Sequence, residues 1–213
     1  MCTKSIKISS FSIWIAYRKV VPLESKSTNA KIKFSNHFGG LCFIFFNENK
    51  AEAQTFQKEI PTDYGYILKL GETVPDFDLI LPDGTKTSMR ALRGKVVMLQ
   101  FTASWCSVCR KEMPHIESEI WQKHKSNKNF ALYGIDLKED KKTTVKFQKD
   151  MKISYPLALD LDGSIFSKFT VPEAGVTRNI IVDKNGRIIF LTRLYKEEEF
   201  NEMKIVIEEL LKK

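Results

Sequence analysis

Val96-Val97-Met98-Leu99-Gln100-Phe101 is an apolar run broken by a single glutamine. Such a run is the pattern of a strand buried on both faces, and it predicts a central strand over Lys95–Phe101. The run breaks at small polar residues and restarts with a different period. Cys109, Met113, Ile116 and Ile120 step by four, three and four, which is one face of a helix predicted to reach about Lys125. Phe130-Ala131-Leu132-Tyr133-Gly134-Ile135-Asp136 reads as a second buried strand, and Lys141–Met151 as a helix with Phe147 and Met151 inward.

The flanks are shorter elements. Phe77, Leu79 and Leu81 alternate as a strand, and Pro82-Asp83-Gly84 turns it into a hairpin partner at Thr85–Thr87. Ser88 is placed to cap a short helix Met89–Leu92 that Gly94 ends. Tyr155–Leu159 predicts a short strand and Ser164–Phe169 a short helix. Ile180–Asp183 and Arg187–Leu194 predict a hairpin about Lys184-Asn185-Gly186. Glu197–Leu211 closes as a helix with Phe200, Met203, Ile207 and Leu210 inward and acidic residues in its first turn. Strands alternating with helices give an α/β chain, with no internal repeat.

Residues 1–53 read differently. They carry eight Lys/Arg against three Asp/Glu, whereas the remaining 160 residues carry 26 against 23, so much of the net charge of +8 lies in this extension. Lys31 and Lys33, then Phe38–Phe46, then Ala51-Glu52-Ala53 follow the order of a secretory signal peptide, expected over 31–53, with the first thirty residues an upstream extension. The alternative is a basic tail with a chance apolar patch. Neither Phe38–Phe46 nor the earlier apolar run Phe11–Tyr17 approaches the roughly 18 residues that span a bilayer, so no stable membrane span is expected. Residues 54–70 read as a lead-in, and 71–213 as the domain. The domain is only mildly basic and has no aromatic-interleaved basic stripe, which argues against nucleic acid.

Of Cys2, Cys42, Cys106 and Cys109, only the last pair remains if the extension is removed, which suits an oxidising compartment. Cys106 falls at the helix N-terminus and Cys109 one turn in. Unpaired N–H groups and the positive end of the macrodipole stabilise a thiolate there, and the thiolate is the attacking species in disulfide exchange. Cys106 is therefore the expected exposed nucleophile and Cys109 the buried resolving thiol. No cofactor or metal is expected. One CxxC supplies two of the four ligands that structural zinc needs, and His37, His115 and His124 all precede Ser126, leaving no late histidine for copper.

Phe101-x-Ala103-x-Trp105-Cys106-x-x-Cys109, with Glu112 and Pro114 after it and Gly71-Glu72-Thr73-Val74-Pro75-Asp76-Phe77 before it, resembles the thioredoxin-fold proteins of the TlpA/ResA type, within the redoxin (AhpC/TSA) superfamily. The resemblance runs from about Gly71 to the C-terminus. It implies a thioredoxin fold, a three-layer α/β/α arrangement with a central mixed sheet and an N-terminal β-hairpin extension. It implies a monomeric thiol–disulfide oxidoreductase of the periplasm or cell envelope. The partners it implies are protein thiols and disulfides and an upstream electron donor. Where thioredoxin has a buried aspartate this chain has Gln100, and the resemblance shifts proton handling to Glu112 beside Cys109. The bland alternative leaves Glu112 on the helix surface.

One departure bears on the site. The family's cis-proline falls six residues before Asp183, at Thr177. A non-proline cis bond costs about 2.5–4 kcal/mol, so Val176–Thr177 is expected to be trans, with a hydroxyl facing the sulfurs. Trp105, Val176, Thr177 and Arg178 are the expected substrate contacts. Arg178 is read either as a cation that favours thiolates or binds an acidic group, or as an exposed structural arginine. Two other functions compete. A thiol peroxidase needs a Pro-x-x-x-Thr-x-x-Cys motif, and here the positions are Leu99, Ala103 and Cys106. A redox-silent interaction domain would have no use for both cysteines and Trp105.

Overall fold

The computed structural model describes residues 59–213. The expectations for the extension 1–53 and for most of the lead-in lie outside them. The strands are β1 (Asp78–Ile80), β2 (Lys86–Ser88), β3 (Val96–Thr102), β4 (Phe130–Leu137), β5 (Leu157–Asp160), β6 (Arg178–Val182) and β7 (Ile188–Arg193). The helices are α1 (Ser107–His115), α2 (Gln122–His124), α3 (Lys141–Asp150) and α4 (Glu197–Lys212). β1 and β2 form a separate antiparallel hairpin, and the other five strands form one sheet in the order β5-β4-β3-β6-β7. β4 runs parallel to β3 and to β5, while β6 is antiparallel to β3 and β7 to β6. This is the mixed central sheet with an N-terminal hairpin that the resemblance implied.

All seven residues of β3 are buried, as its apolar run requires. Its side chains alternate between two environments. Gln100 and Thr102 point to α1, where they meet Glu112 and the Met113 sulfur, the latter at 3.4 Å. Phe101 points the other way, with ring centroids 5.2 Å from Phe166 and 5.4 Å from Phe169. Phe169 in turn meets Phe77 edge-on at 5.7 Å, so the segment leading into the hairpin covers this second face. On the first face α4 joins the helical turns Ile116–Trp121 and α2 through the ion pairs Lys204–Glu119 and Lys123–Glu208. Its buried residues Phe200, Met203, Ile207 and Leu210 are the predicted ones, with Val206 added.

α1 does not run on as a regular helix. Pro114 removes a backbone donor, and Ile116–Trp121 follow as π-helical turns before α2. Two predicted short helices are smaller than expected. Met89–Leu92 is a chain of turns: Ser88 Oγ still accepts from Ala91 N–H at 3.2 Å, but Gly94, with φ 86°, stops the chain after four residues. Ser164–Phe169 reduces to one 3-10 turn, Phe166–Lys168. Segments this short do not repay helix nucleation.

Gly134, in the middle of β4, is a position where a side chain has no room. A Cβ there would run into Leu157 Cδ2 and lie 3.4 Å from the Tyr155 ring. Gly134→Ala is expected to destabilise the fold by about 1–3 kcal/mol through overpacking. Urea unfolding of the variant measures this, and an unchanged midpoint would mean that β5 yields easily.

Candidate functional site

The site lies where β3 ends and β6 begins. Cys106 caps α1 with extended backbone, φ −83° and ψ 107°, and its Sγ accepts the Cys109 N–H at 3.2 Å. The two cysteines form a disulfide. Cys109 is fully buried and Cys106 is 8% exposed. Cys106 is the more accessible residue of the two, but it too is largely buried. Trp105 beside it is 67% exposed.

Every peptide bond among the described residues is trans, Val176–Thr177 included. The Thr177 hydroxyl lies 3.1 Å from Cys106 Sγ and 3.2 Å from Cys109 Sγ. A disulfide carries no proton, so in this state the hydroxyl is the donor. The predicted hydroxyl at the sulfurs is therefore in place. Val176 comes with it, its side chain buried.

Arg178 is a correction to both readings offered for it. It is fully buried, and strand alternation turns it to the face opposite Thr177 and the sulfurs. There its Nε donates to the Gly175 carbonyl at 2.8 Å and its guanidinium stands over the Tyr66 ring at 4.6 Å. Neither Nη has a hydrogen-bond partner among the described residues, and burial lowers its pKa. Arg178 tethers the loop that carries Thr177 from behind; it is neither exposed nor within the thiol site.

Glu112 is 1% exposed, which removes the surface reading. One turn after Cys109, it enters a buried polar cluster that the sequence reading did not assemble. Asn179 Nδ2 donates to its Oε1 at 2.6 Å and Gln100 Nε2 to its Oε2 at 3.3 Å. The Tyr155 hydroxyl donates to Gln100 Oε1 at 2.7 Å, and Asn179 Nδ2 reaches Thr192 Oγ1 at 3.0 Å. Among the described residues no cation joins the cluster. Burial therefore outweighs the two amide donors and pushes the Glu112 carboxyl up to about 7. Gln100 and Asn179 are polar residues inside apolar strand runs, and that was the available signal.

Ser104 was also missed. Its N–H and O–H both donate to Glu139, at 2.7 Å and 2.6 Å, and its carbonyl accepts from Arg110 Nη1 at 3.3 Å. These bonds pin the loop that presents Trp105 and Cys106. Behind Glu139, Asp136 accepts the Thr144 hydroxyl at 2.6 Å, and burial, with Glu139 adding to it, raises its pKa. Among the described residues no group of three or more His, Cys, Asp or Glu is arranged to hold a metal ion, and no helix is long and apolar enough to cross a membrane.

A CxxC disulfide at the first turn of the helix after the central strand of this mixed sheet defines a thioredoxin-fold thiol–disulfide oxidoreductase. Comparison with known proteins agrees. Residues 70–191 match the AhpC/TSA family, and the chain belongs to that family, as a TlpA/ResA-like redoxin. It is similar to the thiol-disulfide oxidoreductase ResA of Bacillus cereus (strain ATCC 10987 / NRS 248), 29% identical over 146 residues, 68% of this chain and 79% of that one. Among solved structures it is similar to a candidate protein disulfide isomerase from Bacteroides thetaiotaomicron. That likeness has 53% identity and a TM-score of 0.69, covering 70% of this chain and 94% of the other. A DsbE-type thiol:disulfide interchange protein from Chlorobium tepidum, at 23% identity and TM-score 0.58 over 68% of this chain and 99% of that one, shares the fold.

The raised Glu112 pKa fixes the sign of a pH effect. The unfolded chain releases this proton near 4.5, and the folded chain keeps it to about 7. Between those values the folded state holds one more proton, so stability falls as pH rises. The contribution is full below pH 4.5, lost as pH passes about 7, and about 3 kcal/mol in size. Urea unfolding of the oxidised protein across that range is expected to show the slope. Glu112→Gln should remove this share and leave that of Asp136; an unaltered slope would assign it to other groups.

Proposed function

We propose that this protein exchanges disulfides with partner proteins in the bacterial cell envelope, with Cys106 attacking and Cys109 resolving. The supporting observation is the asymmetry of the pair: Cys106 caps α1, accepts the Cys109 N–H and is the less buried residue, whereas Cys109 is fully buried. In the forward step the Cys106 thiolate attacks a partner disulfide, forming a mixed disulfide and releasing one partner thiolate. Cys109 then gives up its proton and attacks Cys106 Sγ, releasing the second partner thiol and closing Cys106–Cys109. Glu112, one turn from Cys109 and titrating near neutrality, is the group that takes up or returns that proton. An upstream electron donor, another dithiol, reopens the disulfide.

The envelope assignment rests on the Lys31/Lys33, Phe38–Phe46, Ala51–Ala53 order and on a chain whose remaining cysteines form one pair. The domain acts as a monomer over 71–213. Trp105 and the backbone at Val176 and Thr177 meet the partner, because the Val176 and Thr177 side chains are themselves buried.

Cys109→Ser is expected to accumulate mixed disulfides with partner proteins in the envelope fraction, resolved on non-reducing gels. Cys106→Ser should trap none. Trapping by Cys106→Ser alone reverses the roles, and complexes confined to the cytosolic fraction refute the location. Thr177→Val tests the hydroxyl. Without it the reduced Cys106 loses one donor to its thiolate, and alkylation by iodoacetamide near neutral pH should slow by up to about tenfold. An unchanged rate would confine Thr177 to packing.

A further inference from the structure

Thr177 is held from two sides. Its carbonyl accepts the Leu194 N–H at 3.1 Å, where Leu194 takes the left-handed φ of 63°. The other hold comes from Tyr66, in the lead-in that precedes the domain. Tyr66 stands outside residues 70–191, the part of the chain that matches the family.

The lead-in is paired with the body of the domain. Tyr66 forms an antiparallel bridge with Thr170. The Ile67 N–H donates to the Phe169 carbonyl at 2.9 Å, and the Val171 N–H donates to the Gly65 carbonyl at 3.1 Å. Tyr64 is buried, and its hydroxyl donates to Glu199 and accepts from Lys196 Nζ at 2.7 Å, both at the start of α4. Gly65 serves this path: its φ is 67°, and a Cβ there would stand 3.3 Å from the Val171 side chain. The partner segment 169–171 runs directly into the loop 172–176 and so to Thr177.

The Tyr66 side chain carries the hold to the far side of Thr177. The Arg178 guanidinium stands 4.6 Å from its ring centroid, and Arg178 Nε donates to the Gly175 carbonyl at 2.8 Å. The Tyr66 hydroxyl donates to the Thr192 carbonyl at 2.7 Å and lies 3.4 Å from the Asn179 carbonyl. One residue therefore touches the two that follow Thr177 and braces the segment that precedes it. Hydrogen bonds depend steeply on distance and angle, so the Thr177 hydroxyl serves the sulfurs only while its backbone keeps this place.

We propose that Tyr66 is a positioning residue for disulfide exchange: through Arg178 it holds the Thr177 hydroxyl at the sulfurs, where that hydroxyl stabilises the Cys106 thiolate. This rests on the disulfide-exchange reading above. It gives the buried Arg178, whose Nη groups have no hydrogen-bond partner among the described residues, a task as the link between the ring and the loop.

The reduced full chain is alkylated with iodoacetamide from about pH 5 to about pH 10, and the midpoint of the Cys106 rate profile is read. Tyr66→Leu removes the ring, and Tyr66→Phe keeps it beneath Arg178. Tyr66→Leu should slow alkylation near neutral pH by about three- to tenfold, by raising the midpoint, with the rate unchanged where the thiol is fully ionised. Tyr66→Phe should react as the parent does. Added to Thr177→Val, Tyr66→Leu should slow the reaction no further, because the hydroxyl it positions is gone. Glu112, one turn along α1 from Cys109, and Glu139 and Arg110, which bond Ser104, stay in place in every variant, so a shift between variants belongs to Thr177. If Tyr66→Leu does not fold by circular dichroism, Ile67→Pro takes its place with the same expected fall. It removes the N–H that holds the Phe169 carbonyl and alters only an exposed side chain. An unmoved midpoint overturns the proposal, as does an equal fall in Tyr66→Phe, which takes Arg178 out of the link. So does a rate raised at every pH, which makes the lead-in a shield over Cys106, or a further fall on top of Thr177→Val, which places the action of Tyr66 elsewhere. If the unaltered chain reduces no protein disulfide, with insulin as the probe, the exchange reading fails, whereas the midpoints still decide whether Tyr66 holds Thr177.

Discussion

The register of β6 against β3 is the constraint on which the site depends. Phe101 pairs with Arg178, Gln100 with Asn179 and Leu99 with Ile180. Because side chains alternate, this register sends Thr177 and Asn179 toward α1 and Arg178 away from it. Thr177 then meets the two sulfurs, and Asn179 meets Glu112. A slip of one residue would bring a guanidinium under the disulfide and bury the threonine among Phe101, Phe166 and Phe169. The aromatic packing on one face and the polar cluster on the other both oppose such a slip. Each face holds the other in place.

The polar cluster is costly unless it is satisfied. Gln100, Glu112, Tyr155, Asn179 and Thr192 are all within 2% of full burial, and no positive charge among the described residues offsets the carboxyl. A carboxylate there would be stabilised by two amide donors alone, so the neutral acid is the form that burial favours below about pH 7. This gives the neighbourhood of Cys109 a proton held on a buried group. Gly134 belongs to the same design. The space it leaves lies 3.4 Å from the Tyr155 ring and 3.7 Å from Gln100 Oε1, the acceptor for the Tyr155 hydroxyl.

Much of this was legible in the sequence, and the reasons for the remainder are local. The β3 run, the four-three-four stepping of α1, the terminal hairpin and α4 carry long periodic signals, and all were placed within a residue or two. Cys106 and Cys109 stand out by their spacing at a helix start, whereas Thr177 was located through the resemblance, as the residue in the place of the family's cis-proline. Arg178 was misread because its adjacency to Thr177 in the chain was taken for adjacency in space, although period two separates them across the sheet. Glu139 and Ser104 lie 35 residues apart and carry no pattern that joins them. Leu194 is harder still. Positive φ is announced by glycine or asparagine, and a leucine held there by a bond to the Thr177 carbonyl gives no such sign. The short helices were over-read because a cap and a stop mark the ends of a segment without making it long enough to nucleate.

The inequality of the two sulfurs follows from donors rather than from distance. Thr177 lies almost equally close to both, at 3.1 Å and 3.2 Å, so its one proton cannot by itself distinguish them. Cys106 Sγ has in addition the Cys109 N–H at 3.2 Å and the free N–H groups of the first turn of α1. When the disulfide opens, charge therefore settles more favourably on Cys106. In the proposed exchange Cys109 is then the protonated, enclosed thiol, with a buried acid one turn along the helix. The same geometry makes the hydroxyl available to whichever sulfur is negative, since a small rotation about the Thr177 side chain moves its proton from one to the other. A proline in that place would offer neither sulfur a donor. The departure from the family pattern thus puts a donor within reach of either sulfur while leaving the fold and the pair intact.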